Sequence, residues 1–116
     1  MLEKDTASVA RLNDMLRTYG IGGEVFATPG VISLSHDMRA RVLIAIKQFN
    51  DFEIGNDSHN EHDFGSVDIK GQRFFFKIDT YDPTYRFMSE EPTDPNKTRR
   101  VMTIMRADEY LSLIHI

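Results

Sequence analysis

Two strand-like runs, FGSVDIK and RFFFKIDTY, meet at Lys70-Gly71, and no other stretch restricts the fold so strongly. A two-residue connection ending in glycine is the usual way to reverse an antiparallel strand pair. With Lys70 and Gly71 as the turn, Ile69 faces Gln72, Val67 faces Phe74, Gly65 faces Phe76 and Asp63 faces Ile78. Side chains alternate between faces along a strand, so these residues share one face, and its apolar content makes it the core face. The opposite face pairs Asp68 with Arg73, Ser66 with Phe75, Phe64 with Lys77 and His62 with Asp79. Asp68 and Arg73 then form a surface ion pair near the turn, a structural feature of small energetic weight.

This register gives meaning to the polar stretch NDSHNEHDFG, Asn56 to Gly65, just ahead of the hairpin. His62 and Asp79 become cross-strand neighbours where the loop enters the sheet, with Asp82 close to the strand end. A carboxylate beside an imidazole fixes its tautomer, which suits a general base or a metal ligand. His62 and Asp79 are therefore the candidate catalytic pair, and His59, His62, Asp79 and Asp82 the candidate metal ligands. The plainer reading is a cross-strand hydrogen bond without chemistry, with His59 a solvent-exposed loop residue. Two histidines three apart in a loop form a weak metal signature, because no helix aligns them. Asp63 points to the core in this register, so its oxygens are expected to accept N–H groups of the Asn56–Asn60 loop and hold it closed.

Around the hairpin the pattern changes from period two to helical. Asp5 or Thr6 caps a helix whose apolar positions are Val9, Leu12, Leu16 and Tyr19, with Met15 beside them. Gly20 to Gly23 end it, and this glycine run follows a helix instead of a strand, the wrong order for a phosphate loop. EVFAT and VISL read as short strands around Thr28-Pro29-Gly30. Ser35 caps a second helix with Met38, Val42, Ile46 and Phe49 as its stripe, widened by Leu43 and Ala45; Arg39, Arg41 and Lys47 lie toward solvent. A short strand over Tyr85–Met88 and a final strand in RRVMTIMRA complete the set. The expected fold is α+β: two helices packed on a small antiparallel sheet of about four strands, with Asp63 to Asp82 as the central hairpin.

Composition narrows the function classes. The chain has 116 residues, enough for one domain, and no apolar run of the roughly 18 residues that crosses a bilayer. The first residues lack the pattern of a secretory signal, and the absence of cysteine fits a cytoplasmic setting and rules out disulfides and thiolate ligands. A net charge of −4 argues against nucleic acid as the partner, and alternation leaves only Phe75 of the three consecutive phenylalanines outside the core. No serine sits in a nucleophile elbow, and the Asp63-Phe64-Gly65 tripeptide lacks every other kinase element.

LNDMLRTYGIGGEVFATPGV, RARVLIAIKQFNDF, NDSHNEHDFGSVDIKGQRFFFKIDTYD and RRVMTIMRADEY together resemble the bacterial family of domains of unknown function designated DUF3768. The likeness runs from Arg11 to Tyr110, and EHDFG, the aromatic strand leading into KID-x-YD, and TIMRADEY are its most specific parts. Family members carry Asp-Gly at the hairpin turn where this chain has Lys70-Gly71, and many have tryptophan at Phe76 and tyrosine at Thr80. The family has no established activity, so the resemblance implies a small α+β fold and transfers no catalytic residues. The last six residues, Leu111 to Ile116, read LSLIHI, the in-frame translation of a transposon mosaic end used to prepare sequencing libraries. The expectation is a single domain over residues 1–110 and a non-native tail over 111–116. The sequence alone leaves the function open. It favours a small non-enzymatic accessory domain with a protein partner, against a metal-assisted or His/Asp hydrolase acting on phosphodiesters through the His59–Asp63 loop, Asp79 and Asp82. A divalent metal is the one cofactor the pattern allows.

Overall fold

A computed structural model describes residues 6–53, 55, 57 and 59–114. The chain runs α1 (Thr6–Tyr19), β1 (Glu24–Ala27), α2 (Pro29–Ile32), α3 (His36–Lys47), β2 (Phe64–Ile69), β3 (Gln72–Tyr81), β4 (Arg99–Arg106) and α4 (Ala107–Ile114). The α+β class and the hairpin are as expected, while Asp5 as a cap and the tail residues His115 and Ile116 lie outside the described residues. No helix among the described residues is long and apolar enough to cross a membrane.

The four strands lie in the order β1-β4-β3-β2. Lys70 and Gly71 both adopt positive φ, 51° and 79°, which matches the right-handed twist of the flanking strands. The β2–β3 ladder then follows the expected register from Ile69↔Gln72 to Phe64↔Lys77. Asp68 receives two hydrogen bonds from the Arg73 guanidinium, at 2.9 and 3.3 Å. β1 departs from an all-antiparallel sheet, because it joins β4 in parallel.

Phe74, Phe76 and Ile78 of β3 and Met102 and Ile104 of β4 form one buried face with Leu16 of α1, Val31 of α2 and Val42 and Ile46 of α3. The Ser35 hydroxyl accepts the Met38 N–H at 3.1 Å and starts α3 as its sequence requires. On the other face, the rings of Phe64, Phe75 and Tyr110 meet with centroids 5.1 to 5.6 Å apart, so α4 covers the end of the sheet that includes the fully buried Met105.

Two expected strands are not strands. VISL is largely the turn of helix α2, because Pro29 sits at its first position with φ already helical, after an extended Thr28. Glu109 fixes this turn by accepting the Thr28 hydroxyl at 2.6 Å and the Gly30 N–H at 3.0 Å. Tyr85–Met88 forms a turn with one bridge, Tyr81↔Met88, since the Asp82 carboxylate accepts the N–H groups of Thr84, Arg86 and Phe87. The α1 stripe is also rotated from its expected position. Tyr19 is 68% exposed, while Asn13 and Arg17 are buried beside Val9, Ala10 and Leu16.

Candidate functional site

His62 leaves the hairpin before the ladder reaches Asp79. Its φ is +56°, and beyond Phe64↔Lys77 the pairing continues only as the Ile78 N–H donating to the Asp63 carbonyl at 2.8 Å. The imidazole turns toward α1, where Nδ1–H donates to Asp14, 2.9 and 3.0 Å from its two oxygens. Nε2 stands 3.7 Å from Asp57 Oδ2, so carboxylates bracket the ring on both sides. The ring also stacks on Phe52, centroids 3.9 Å apart and planes 4° from parallel. Arg17 closes the cluster, donating to Asp14 at 2.8 Å with its guanidinium 5.1 Å from the centre of the Phe52 ring.

Asp57 shapes the loop that delivers this histidine. Its buried Oδ1 accepts the N–H groups of Glu61 at 3.0 Å and His62 at 3.1 Å, tightening the chain into a turn. Asp57 therefore holds the end of this loop through its own carboxylate. Asp63 itself is half-buried, and its carboxyl is held above the ordinary range, first by burial and then by the neighbouring charge of Glu61.

The other candidate residues have separate attachments. Asp79 forms an ion pair with Lys77, its neighbour on the same strand face. Asp82 organises the turn after β3, and the Thr84 hydroxyl holds its carboxyl below the usual range. His59 is exposed on the loop. No hydrogen bond or ion pair joins His62 to Asp79 among the described residues, and the two line different cavities. His62 borders an open one of about 430 Å³ with Ala7, Ala10, Arg11, Asp14 and Asn60. Asp79 borders one of about 90 Å³ with Asn13, Glu61 and Asp63. The expected His59, His62, Asp79 and Asp82 set is thus not drawn together, and among the described residues no three His, Asp or Glu side chains are grouped to hold a metal ion.

Asp14, Arg17 and Asp57, the charged groups around His62, were not nominated by the sequence. Neither were Asn13 and Arg100, which form a buried polar tie beneath it. The Asn13 amide donates to the Glu61 carbonyl at 2.9 Å, and Asn13 Oδ1 accepts Arg100 Nε at 2.6 Å. Arg100 also donates to the Pro92 carbonyl at 2.7 Å. The only local signal for any of these was the i, i+3 spacing of Asp14 and Arg17 on one helix face.

A second concave feature lies between α1, β1 and α3. Tyr19, Val25 and Leu43, respectively 68%, 44% and 40% exposed, border a groove of about 240 Å³. Leu16, Ile46, Met102 and Ile104 line it more deeply, and its charged lining residues are Arg17 and Lys47.

The family described as "Protein of unknown function (DUF3768)" matches residues 27–109, and the chain belongs to that family. No curated protein and no solved structure matches it.

Proposed function

We propose that this family member is a small non-enzymatic accessory domain of the bacterial cytoplasm that works by binding a protein partner. The observation that supports this reading is the apolar groove between α1, β1 and α3, with large side chains left in solvent around it. Contiguous exposed apolar surface is disfavoured on a soluble domain unless something covers it. The candidate acid–base groups are meanwhile engaged, His62 with Asp14 and Asp79 with Lys77. The test is affinity capture with the wild-type chain and with Leu43→Glu as baits, followed by binding of the recovered protein in purified form. A partner that binds the wild type directly and is lost by a folded Leu43→Glu supports the reading. Recovery of no direct partner, or equal binding by both baits, overturns it.

The second reading is a metal-assisted or His/Asp-based hydrolase for phosphodiesters, and the Asp14–His62 hydrogen bond supports its His/Asp-based form. An acceptor at Nδ1 orients an imidazole for proton transfer. Asp14 would then take the orienting role first assigned to Asp79, beside the open cavity that His62 borders. Turnover of a model phosphodiester with zinc or manganese, abolished in His62→Ala, is its expected signature; equal turnover by both proteins removes it.

We also take residues 1–110 as the native domain and Leu111–Ile116 as the adapter-derived tail. The family match ending at residue 109 is compatible with this assignment. Resequencing the source locus across codon 110 tests it directly.

A further inference from the structure

We infer that β1 accepts an extended peptide as an added strand, with apolar side chains set into the adjoining groove and a carboxylate meeting Lys47. The inference rests on the interaction reading above and names its partner class. Among the described residues β1 is an edge strand, paired only with β4. The Thr28 N–H donates to the Ile104 carbonyl at 3.0 Å, which sets the parity of the strand. Backbone groups of Glu24 and Phe26 therefore turn to β4, and those of Val25 and Ala27 turn outward. Exposed edges in stable proteins are commonly blunted by proline, lysine or a covering element. Here the strand reads Glu-Val-Phe-Ala, with Val25 and Phe26 respectively 44% and 54% exposed.

The groove adds the specificity that backbone pairing lacks. Val25 and Ala27 are in register with Met102 and Ile104, so their side chains lie on the core face. An incoming strand continues that face, and its alternate side chains come over the groove beside Val25. The charge of the lining points to an acid. Arg17 and Lys47 line the groove and no carboxylate does, although the chain as a whole carries −4. Arg17 already donates to Asp14, whereas Lys47 is exposed at the end of α3 and has no ion-pair partner among the described residues.

A second copy joined antiparallel meets this requirement poorly, and one joined in parallel, with Glu24 on the groove side, is distinguished by the dimerisation measurement. Two β1 strands joined antiparallel, about a two-fold axis normal to the sheet, form one continuous sheet whose core faces coincide. The partner copy then offers Val25 and Ala27 toward the groove, while its Glu24 lies on the opposite face and leaves Lys47 unmatched. A peptide with apolar residues and a carboxylate satisfies both the edge and the charge. That carboxylate is either a chain terminus or an acidic side chain.

The experiment selects peptides of about ten residues with free C-termini from a random display library on the intact chain, then titrates the best into isotope-labelled protein. The expected result is a shift and slowed exchange of the Val25 and Ala27 amides, with affinity reduced about tenfold or more by Lys47→Glu. Loss of binding on C-terminal amidation identifies a terminal carboxylate, and loss on replacing the peptide's Asp or Glu identifies a side chain; either supports the inference. Binding indifferent to both changes, or shifts that spare β1, overturns it. So does concentration-dependent dimerisation that protects the β1 amides without peptide. If no peptide is selected while a captured protein still requires Leu43, strand addition fails and the interaction reading stands; if neither binds, both fall.

Discussion

Glu109 accepts three hydrogen bonds, from the Thr28 hydroxyl at 2.6 Å, the Arg106 N–H at 2.8 Å and the Gly30 N–H at 3.0 Å. Burial pushes its carboxyl up, but these donors outweigh burial and hold it below the ordinary glutamate range. A folded-state value below the unfolded one gives stability that is present above the unfolded pKa, near 4.3, and is lost as pH falls through the folded value. Glu109→Gln is therefore expected to destabilise the protein by about 2 kcal/mol at neutral pH. Thermal melts of the two proteins should converge as pH falls below about 4. Asp63 behaves in the opposite sense, because burial and Glu61 hold its carboxyl above the ordinary range. Its ionisation weakens the fold as pH rises from the unfolded value through the folded one, and the protonated form carries no such penalty. Asp63→Asn is expected to raise the midpoint of urea unfolding at pH 7, with the gain vanishing once pH falls below about 3.9. An unchanged midpoint at pH 7 would mean that the buried charge is already compensated.

At the scale of elements, what was legible depended on how local the cause is. The hairpin could be read because alternation and a turn residue lie within twenty positions, and α3 because Ser35 and its apolar stripe belong to one helix. Local pattern could not show that Pro29 starts a helical turn held by Glu109, which lies 80 residues away in the sequence. For a related reason, His62 does not sit opposite Asp79 in the ladder. The alternation rule was extended two residues past the end of the ladder, and it fails where positive φ at Asn60 and His62 breaks the strand. Asp57 determines that break, so Asp57→Ala should release the loop and leave the hairpin intact. Removing one acceptor from two N–H groups is expected to cost about 2 kcal/mol. Hydrogen exchange should quicken at Glu61 and His62 while β2 and β3 amides keep their protection. Equal loss of protection across the hairpin would show that the loop and sheet open together. Inside the hairpin the packing has no slack at Gly65, where a Cβ would come 2.5 Å from the Phe76 ring and 2.7 Å from the Phe49 ring. Gly65→Ala should therefore lower stability by about 1–3 kcal/mol in a denaturant titration.

Across the whole molecule, the helical layer and the sheet are joined by polar groups as well as by apolar packing. Asn13 on α1 accepts Arg100 on β4 and donates to the carbonyl of Glu61, so one side chain ties a helix, a strand and the loop that carries His62. Both side chains are almost fully buried, Asn13 at 1% and Arg100 at 6% exposure. Nothing in the helical pattern marks an asparagine as the inward residue, because its partners lie 48 and 87 positions away. A buried guanidinium that loses its acceptor bears the full cost of desolvation, so removing one partner is worse than removing both. Asn13→Leu alone should destabilise the fold by about 3 kcal/mol, since it removes both the acceptor of Arg100 Nε and the amide donor to the Glu61 carbonyl. Adding Arg100→Met to that variant replaces the charge with an unbranched apolar side chain and should recover a large part of the loss. Denaturant melts of the wild type, both single variants and the double variant would show a double-mutant loss well below the sum of the singles. Strictly additive losses would mean that Arg100 is supported by Pro92 and its surroundings without Asn13. In that case α1 would be held to the sheet by its apolar contacts alone.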